Sequence, residues 1–275
     1  MITADLQSPA QMAGKNADND NIGREESIDM KILAIDTSGM VAGIAVVENE
    51  LLIGEYTINY KKTHSQTLLP MLKEMQTMIE LDLSTLDAVA LAKGPGSFTG
   101  LRIGSATAKG LAMALDKPVI EVPTVDGMAY QLYGFEGIIC PIMDARRGQV
   151  YTGFYTFEKQ GGDFVFKVLK DQFAADMGSV IEELNNLGKQ VLFLGDGVPV
   201  QKEAIADELK VPFGFAPANC NRQRASALAV LAEQYFKEGR FIKASEHKPE
   251  YLRLSQAERE RMERENAHNQ PNEQK

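Results

Sequence analysis

The stretch "KILAIDTSGMVAGIAVVENE" (31–50) decides the fold, because its pattern returns later in the chain. Its first six residues form a short apolar run ending in Asp36, the pattern of a buried strand. A turn follows, then a second apolar run, "AGIAVVEN" (42–49), and a third, "LLIGEYTINY" (51–60). The connection at Glu48–Glu50 is tight enough for a hairpin, so three strands in an antiparallel meander are expected. Further on, "IICPIMDARRGQVYTGFYTFE" (138–158) again gives an apolar strand, an Asp, a turn and an apolar-alternating strand. In both copies Asp, as Asp36 or Asp144, ends the first strand, and the second strand is under way by residues 43 and 151.

The segments around these copies repeat as well. "THSQTLLPMLKEMQTMIE" (63–80) places Leu68, Met71, Leu72, Met75, Met78 and Ile79 on one helical stripe, with Thr63 or Ser65 as cap. Pro70 either opens this helix at its first turn or kinks it. Strand 86–94, helix 100–115, strand 118–124 and helix 125–134 follow, giving the order βββαβαβα. The second round reads as strand 164–171, helix 177–187, strand 190–197 and helices 199–210 and 225–239. This weak duplication predicts two α/β halves joined near residue 134, each a mixed sheet with helices on its faces. The expected limits are 30–134 and 135–255, the last helix being able to pack back on the first half.

Residues 1–29 have no amphipathic period and lack the basic-then-apolar order of a secretory signal. They read as a disordered leader, with Met30 as the start of the folded part, and 256–275 reads as a polar tail. The charge of −9 argues against a broad basic face for nucleic acid and leaves only a local basic patch open. No apolar run is long enough to span a membrane. Two cysteines without a CxxC argue against a disulfide framework or a zinc site and fit a reducing cytosol, so a cytoplasmic location is expected.

"AKGPGSFTGLRIGSATAKGLAMAL" (92–115) has the look of a phosphate cradle. A P-loop requires G-x-x-x-x-G-K-[S/T], and after Gly94 the chain instead reads Thr99, Gly100, Leu101. A nucleophile elbow requires G-x-S-x-G, and Ser97 sits directly beside Gly96. What does stand out is a ridge of small residues four apart: Gly100, Gly104, Ala108 and Ala112. Glycine in a helix costs about 1 kcal/mol relative to alanine, so the ridge needs a close neighbour. That neighbour is either this chain's own sheet and helices or a helix of another protein. The methionines of the preceding helix suit an adaptable binding surface and a core equally.

Asp36 and Asp144 hold matching positions, and in a duplicated fold both are expected to face the cleft between halves, where they could hold Mg²⁺ and a nucleotide. Thr37 and Ser38 lie in the first turn, Arg146 and Arg147 in the second, and Gly195 belongs to the glycine-rich "FLGDG" (193–197). An ATPase or small-molecule kinase using Asp36 and Asp144 is therefore the alternative function. No histidine pair at helical spacing offers a metal site.

"ILAIDTS", "HSQTLLP", "KGPGSFTGLRIG", "AKGLA", "DARRGQVY", "FLGDG" and "PEYLR" together resemble the TsaB (formerly YeaZ) family over roughly residues 30–255. The resemblance implies an actin-like, Hsp70-like ATPase fold (ASKHA, ribonuclease H-like) of two duplicated halves. It implies a non-catalytic scaffold and dimerisation subunit of the tRNA N6-adenosine threonylcarbamoyltransferase (t6A) complex, with no cofactor or metal of its own. The catalytic subunit TsaD and the ATPase TsaE are the implied partners, tRNA is met only through the complex, and self-dimers form when TsaD is absent. By analogy His64, Leu68, Leu72, Met75, Gly100, Leu101, Gly104, Thr107, Ala108 and Leu111 fall in the partner interface. Asp36, Thr37, Ser38, Asp144, Arg146 and Gly195 mark a vestigial nucleotide cleft.

Overall fold

A computed structural model describes residues 30–253; the leader at 1–29 and the tail at 256–275 lie outside the described residues. The first sheet contains β1 (Lys31–Asp36), β2 (Ala42–Glu48), β3 (Leu51–Ile58), β4 (Ala88–Gly94) and β5 (Val119–Pro123) in the order β3-β2-β1-β4-β5. The second contains β6 (Ile138–Asp144), β7 (Gln149–Gln160), β8 (Asp163–Asp176), β9 (Val191–Leu194) and β10 (Phe213–Phe215) in the order β10-β9-β6-β7-β8. Each sheet is an antiparallel three-strand meander extended by two parallel strands. The two orders are the same when read from the meander edge, so the duplication is complete at the level of topology. This is a duplicated actin-like fold.

The hairpin between β2 and β3 has a two-residue loop, with Glu48 paired to Leu51. Asn49 and Glu50 both take positive φ, 52° and 65°, the turn whose twist matches that of flanking strands. β8 runs well past the expected 164–171, and β10, the outer of the two parallel strands, is only three residues long, too short to give a periodic signal in the sequence.

The helices are α1 (His64–Met78), α2 (Phe98–Leu115), α3 (Thr124–Tyr130), α4 (Met177–Leu187), α5 (Val198–Glu208) and α6 (Ala225–Lys237). Strand alternation assigns them to layers. In β1, Leu33 and Ile35 point into a core shared with α1 and α2. Ile32 and Ala34 point the other way, into a core with α3 and α6 that also takes Ile139, Tyr155 and Phe157 of the second sheet. The outer face of the second sheet packs on α4 and α5 through Val180, Ile181, Leu184 and Ile205. The layers are therefore α1/α2, sheet, α3/α6, sheet, α4/α5. The last helix lies between the sheets and touches β1, β2 and β5 of the first. Pro70 sits on the exposed side inside α1 rather than at its first turn, and Thr63 takes the N-cap position without a side-chain cap bond.

Candidate functional site

Helix α2 and the turn after β1 are built against each other. Ser97 caps α2, accepting from Gly100 N at 3.3 Å, and Ser97 N donates to Ser38 O at 2.6 Å. Thr37 Oγ1 donates to Gly100 O at 2.8 Å. A Cβ on Gly96 would overlap Ser38 O, one on Gly100 would overlap Thr37 O, and one on Gly104 would overlap Thr37 Oγ1. The glycines exist so that α2 can lie on the chain's own strand end.

The residues expected in the partner interface divide between the core and the helix flanks. Gly100, Leu101, Gly104 and Ala108 are buried on the sheet side of α2. Leu68, Leu72 and Met75 are buried beneath α1 in the same core, Met75 completely. The reason is packing: each helix turns its apolar or side-chain-free stripe toward the sheet, so those seven residues are buried within the chain itself. Thr107 and Leu111 are half-buried at the flank of α2. His64, the first residue of α1, places Nε2 2.8 Å from Gly39 O.

The outward side of these two helices has a distinct character. On α2 it carries Ala106, Gly110, Met113 and Ala114, all exposed, and a Cβ on Gly110 would meet nothing within 4 Å. On α1 it carries Leu69 and Met78, with Met78 64 % exposed and Met113 61 % exposed. Small residues flanked by exposed large apolar ones on neighbouring helices form a surface that a partner helix can approach closely.

Between the halves lies a cavity of about 590 Å³, walled by Gly39, Thr99, Asp144, Arg146, Asp196 and Tyr251, among others. Asp36 was expected to share it with Asp144, and it does not line it. Its side chain is sealed, Oδ1 accepting from Ser38 N at 2.8 Å and Ser38 Oγ at 2.6 Å, and burial pushes its carboxyl above the usual range. Thr37 is likewise turned inward, onto α2. Asp144 is tied to its own turn: Oδ1 accepts from Arg146 N at 2.8 Å and Oδ2 from the Arg146 guanidinium at 3.2 Å. Arg146 and Arg147 both have positive φ, so the second turn differs in build from the first. Asp144 N donates to Asp196 Oδ1 at 3.1 Å, and burial raises the Asp196 carboxyl. Gly195 (φ 112°) lets the chain pass Ile142 O, and its own carbonyl accepts from Arg222 at 3.0 Å. Among the described residues, no three His, Cys, Asp or Glu side chains gather as a metal site would require. Asp36 is sealed off the cavity and Asp144 is held by its own turn, so the two carboxylates do not converge on one shared cation site.

Sequence reasoning missed two arrangements. Asp126 on α3 accepts from Tyr155 of β7 at 2.7 Å and Tyr235 of α6 at 3.2 Å, joining both halves in the middle layer, and burial pushes its carboxyl up to about 6. His247 lies between Ser105 Oγ, 2.8 Å from Nε2, and Glu121 Oε1, 2.6 Å from Nδ1. Burial works to raise the Glu121 carboxyl, and the hydrogen bond and charge of His247 outweigh it, leaving it below its usual value. Neither arrangement has a local sequence signal, because the partners are far apart in the chain.

The duplicated actin-like halves, the cleft between them and the two-helix outer face define the class: a two-lobed α/β protein. Comparison with known proteins then identifies the family. Residues 52–261 match the family model described as TsaD, tRNA N6-adenosine threonylcarbamoyltransferase. The Bacillus subtilis "tRNA threonylcarbamoyladenosine biosynthesis protein TsaB" is 38% identical, covering 83% of this chain and 96% of that protein. Its Escherichia coli counterpart of the same description is 29% identical, over 82% of this chain and 95% of that one. Among solved structures, YeaZ from Pseudomonas aeruginosa is 25% identical with a TM-score of 0.65, covering 81% of this chain and all of that one. The chain belongs to the TsaB (YeaZ) family. No helix among the described residues is long and apolar enough to cross a membrane.

Proposed function

We propose that this protein is the non-catalytic subunit of a t6A-forming threonylcarbamoyltransferase complex in the cytoplasm. It docks on a TsaD-type catalytic subunit and meets tRNA only through the assembly. The observation that carries this reading is the 38% identity to a TsaB protein along 96% of that relative's length. The docking surface is the outward side of α1 and α2, centred on Ala106, Gly110 and Met113 with Thr107 and Leu111 at its edge. Exposed apolar side chains beside a side-chain-free gap support that choice. The same surface serves a self-dimer when TsaD is absent, and a TsaE-type ATPase joins the pair. The sealed Asp36 and the Arg146-bound Asp144 support a supporting rather than a catalytic role.

Expression of this chain in a bacterium depleted of TsaB tests the reading. Mass spectrometry of tRNA nucleosides should find t6A restored, while the purified chain alone should modify no tRNA. Failure to restore t6A with a compatible TsaD present, or modification by the chain alone, would contradict it.

A further inference from the structure

The segment after α6 does more than end the chain. It runs back along the first half: Ile242 exchanges backbone hydrogen bonds with Val119 of β5, both at 2.9 Å. Ser245 O then accepts from Lys109 of α2 at 3.0 Å. His247, 3 % exposed, is pinned between Ser105 of α2 and Glu121 of β5. This anchor is strong for its length, since a buried imidazole with both nitrogens engaged fixes position as well as orientation.

Beyond the anchor the segment reaches the cleft. Glu250 N donates to Lys93 O at 2.8 Å, and the Glu250 carboxylate pairs with Lys93 Nζ at 3.0 Å. Gly94 is required here, because a Cβ on it would overlap Glu250 O. The Tyr251 ring lies on Phe98, with centroids 4.6 Å apart, and Tyr251 Oη accepts from Arg102 Nε at 3.3 Å. Lys93, Phe98 and Arg102 all belong to the first half. Arg253 then crosses over, its guanidinium donating to Ala145 O in the second half at 2.6 Å. Residues 250–253 all line the cavity between the halves.

We propose that residues 247–253 are a clasp that holds the inter-lobe cleft closed. The His247 anchor fixes one end on the first half, Tyr251 seats the middle on the first turn of α2, and Arg253 fastens the far end to the turn after β6. The clasp provides a tie across the cleft at a place where Asp36 and Asp144 provide none, since both are satisfied within their own turns. It also connects the cleft to α2, the helix whose outer side is exposed, because Phe98 and Arg102 stand on that helix.

Hydrogen–deuterium exchange on the full-length protein tests the clasp, comparing wild type, Arg253→Gln and the double variant Tyr251→Ala/Arg253→Ala. Amides on both cleft walls are the reporters: Ser97, bonded to Ser38 O, and Asp144, bonded to Asp196. In the double variant both should exchange at least about tenfold faster, while the amides of 32–35 in β1 and 138–142 in β6 keep their wild-type rates. Acceleration confined to residues 244–253, or no acceleration, would overturn the proposal. If the double variant also loses protection in those strand interiors, Arg253→Gln decides: the reporters at Asp144 and Ala145 must speed up with 32–35 and 138–142 unchanged, and wild-type rates at the reporters would overturn it.

Discussion

Asp126 shows how one residue can carry a pH dependence for the whole chain. It is 6 % exposed, and two tyrosine hydroxyls donate to it from different layers. Burial raises its carboxyl from 3.8 to about 6 in the folded protein. A raised carboxylate makes ionisation costly to the folded state, by about 3 kcal/mol above both values. As pH falls through 6, the folded state takes up a proton that the unfolded state still lacks, so this group's effect is to add stability on acidification until 3.8 is reached. Between pH 8 and pH 5 the wild type should gain about 1.4 kcal/mol from this source that Asp126→Asn does not. Chemical denaturation of both proteins at the two pH values measures it, and identical pH profiles would contradict the assignment. Nothing in "VDGMAYQLYG" (125–134) announces this role, because Tyr155 and Tyr235 arrive from other elements.

At the scale of the element, α2 has two faces that the sequence did not separate. Four-residue spacing of small residues was legible, and so was the need for a close neighbour. The neighbour's identity was not legible, because a sheet edge and a foreign helix ask for the same absence of side chains. Gly100, Gly104 and Ala108 turned out to face Thr37 and the core, while Ala106, Gly110 and Ala114 face outward. One substitution made at two positions separates the faces. Gly110→Ala fills open space in an exposed helix and should stabilise the protein by about 0.5–1 kcal/mol. Gly100→Ala drives a methyl into Thr37 O and should destabilise by about 1–3 kcal/mol. Urea denaturation of both variants checks the pair; effects of the same sign would show that α2 is oriented otherwise.

For the whole molecule, the repeat of "KILAID" in "IICPIMD" was enough to predict two halves of one topology, because strand periodicity and the Asp-ended turn survive in both copies. The middle layer was only partly legible: α6 reads as an apolar helix, and its place between two sheets depends on contacts with both. The cleft was the least legible part. Matched aspartates suggested a shared site, yet Ser38 seals one and Arg146 bonds the other within its own turn, details set by a few tenths of a nanometre in the turns rather than by residue type. The clasp was present in the sequence as "PEYLR" (249–253) without any sign of what it touches.

The central claim is that the chain works by docking the outward side of α1 and α2 on a TsaD-type subunit. Gly110→Arg places a long charged side chain on that surface and leaves the core untouched. Calorimetric titration of the full-length protein into purified TsaD tests the claim most directly. Wild type should bind at one to one, and Gly110→Arg, folded to the same melting temperature within about 3 °C, should bind at least about a hundredfold more weakly. Undiminished binding by that variant, or no binding by the wild type, would contradict it.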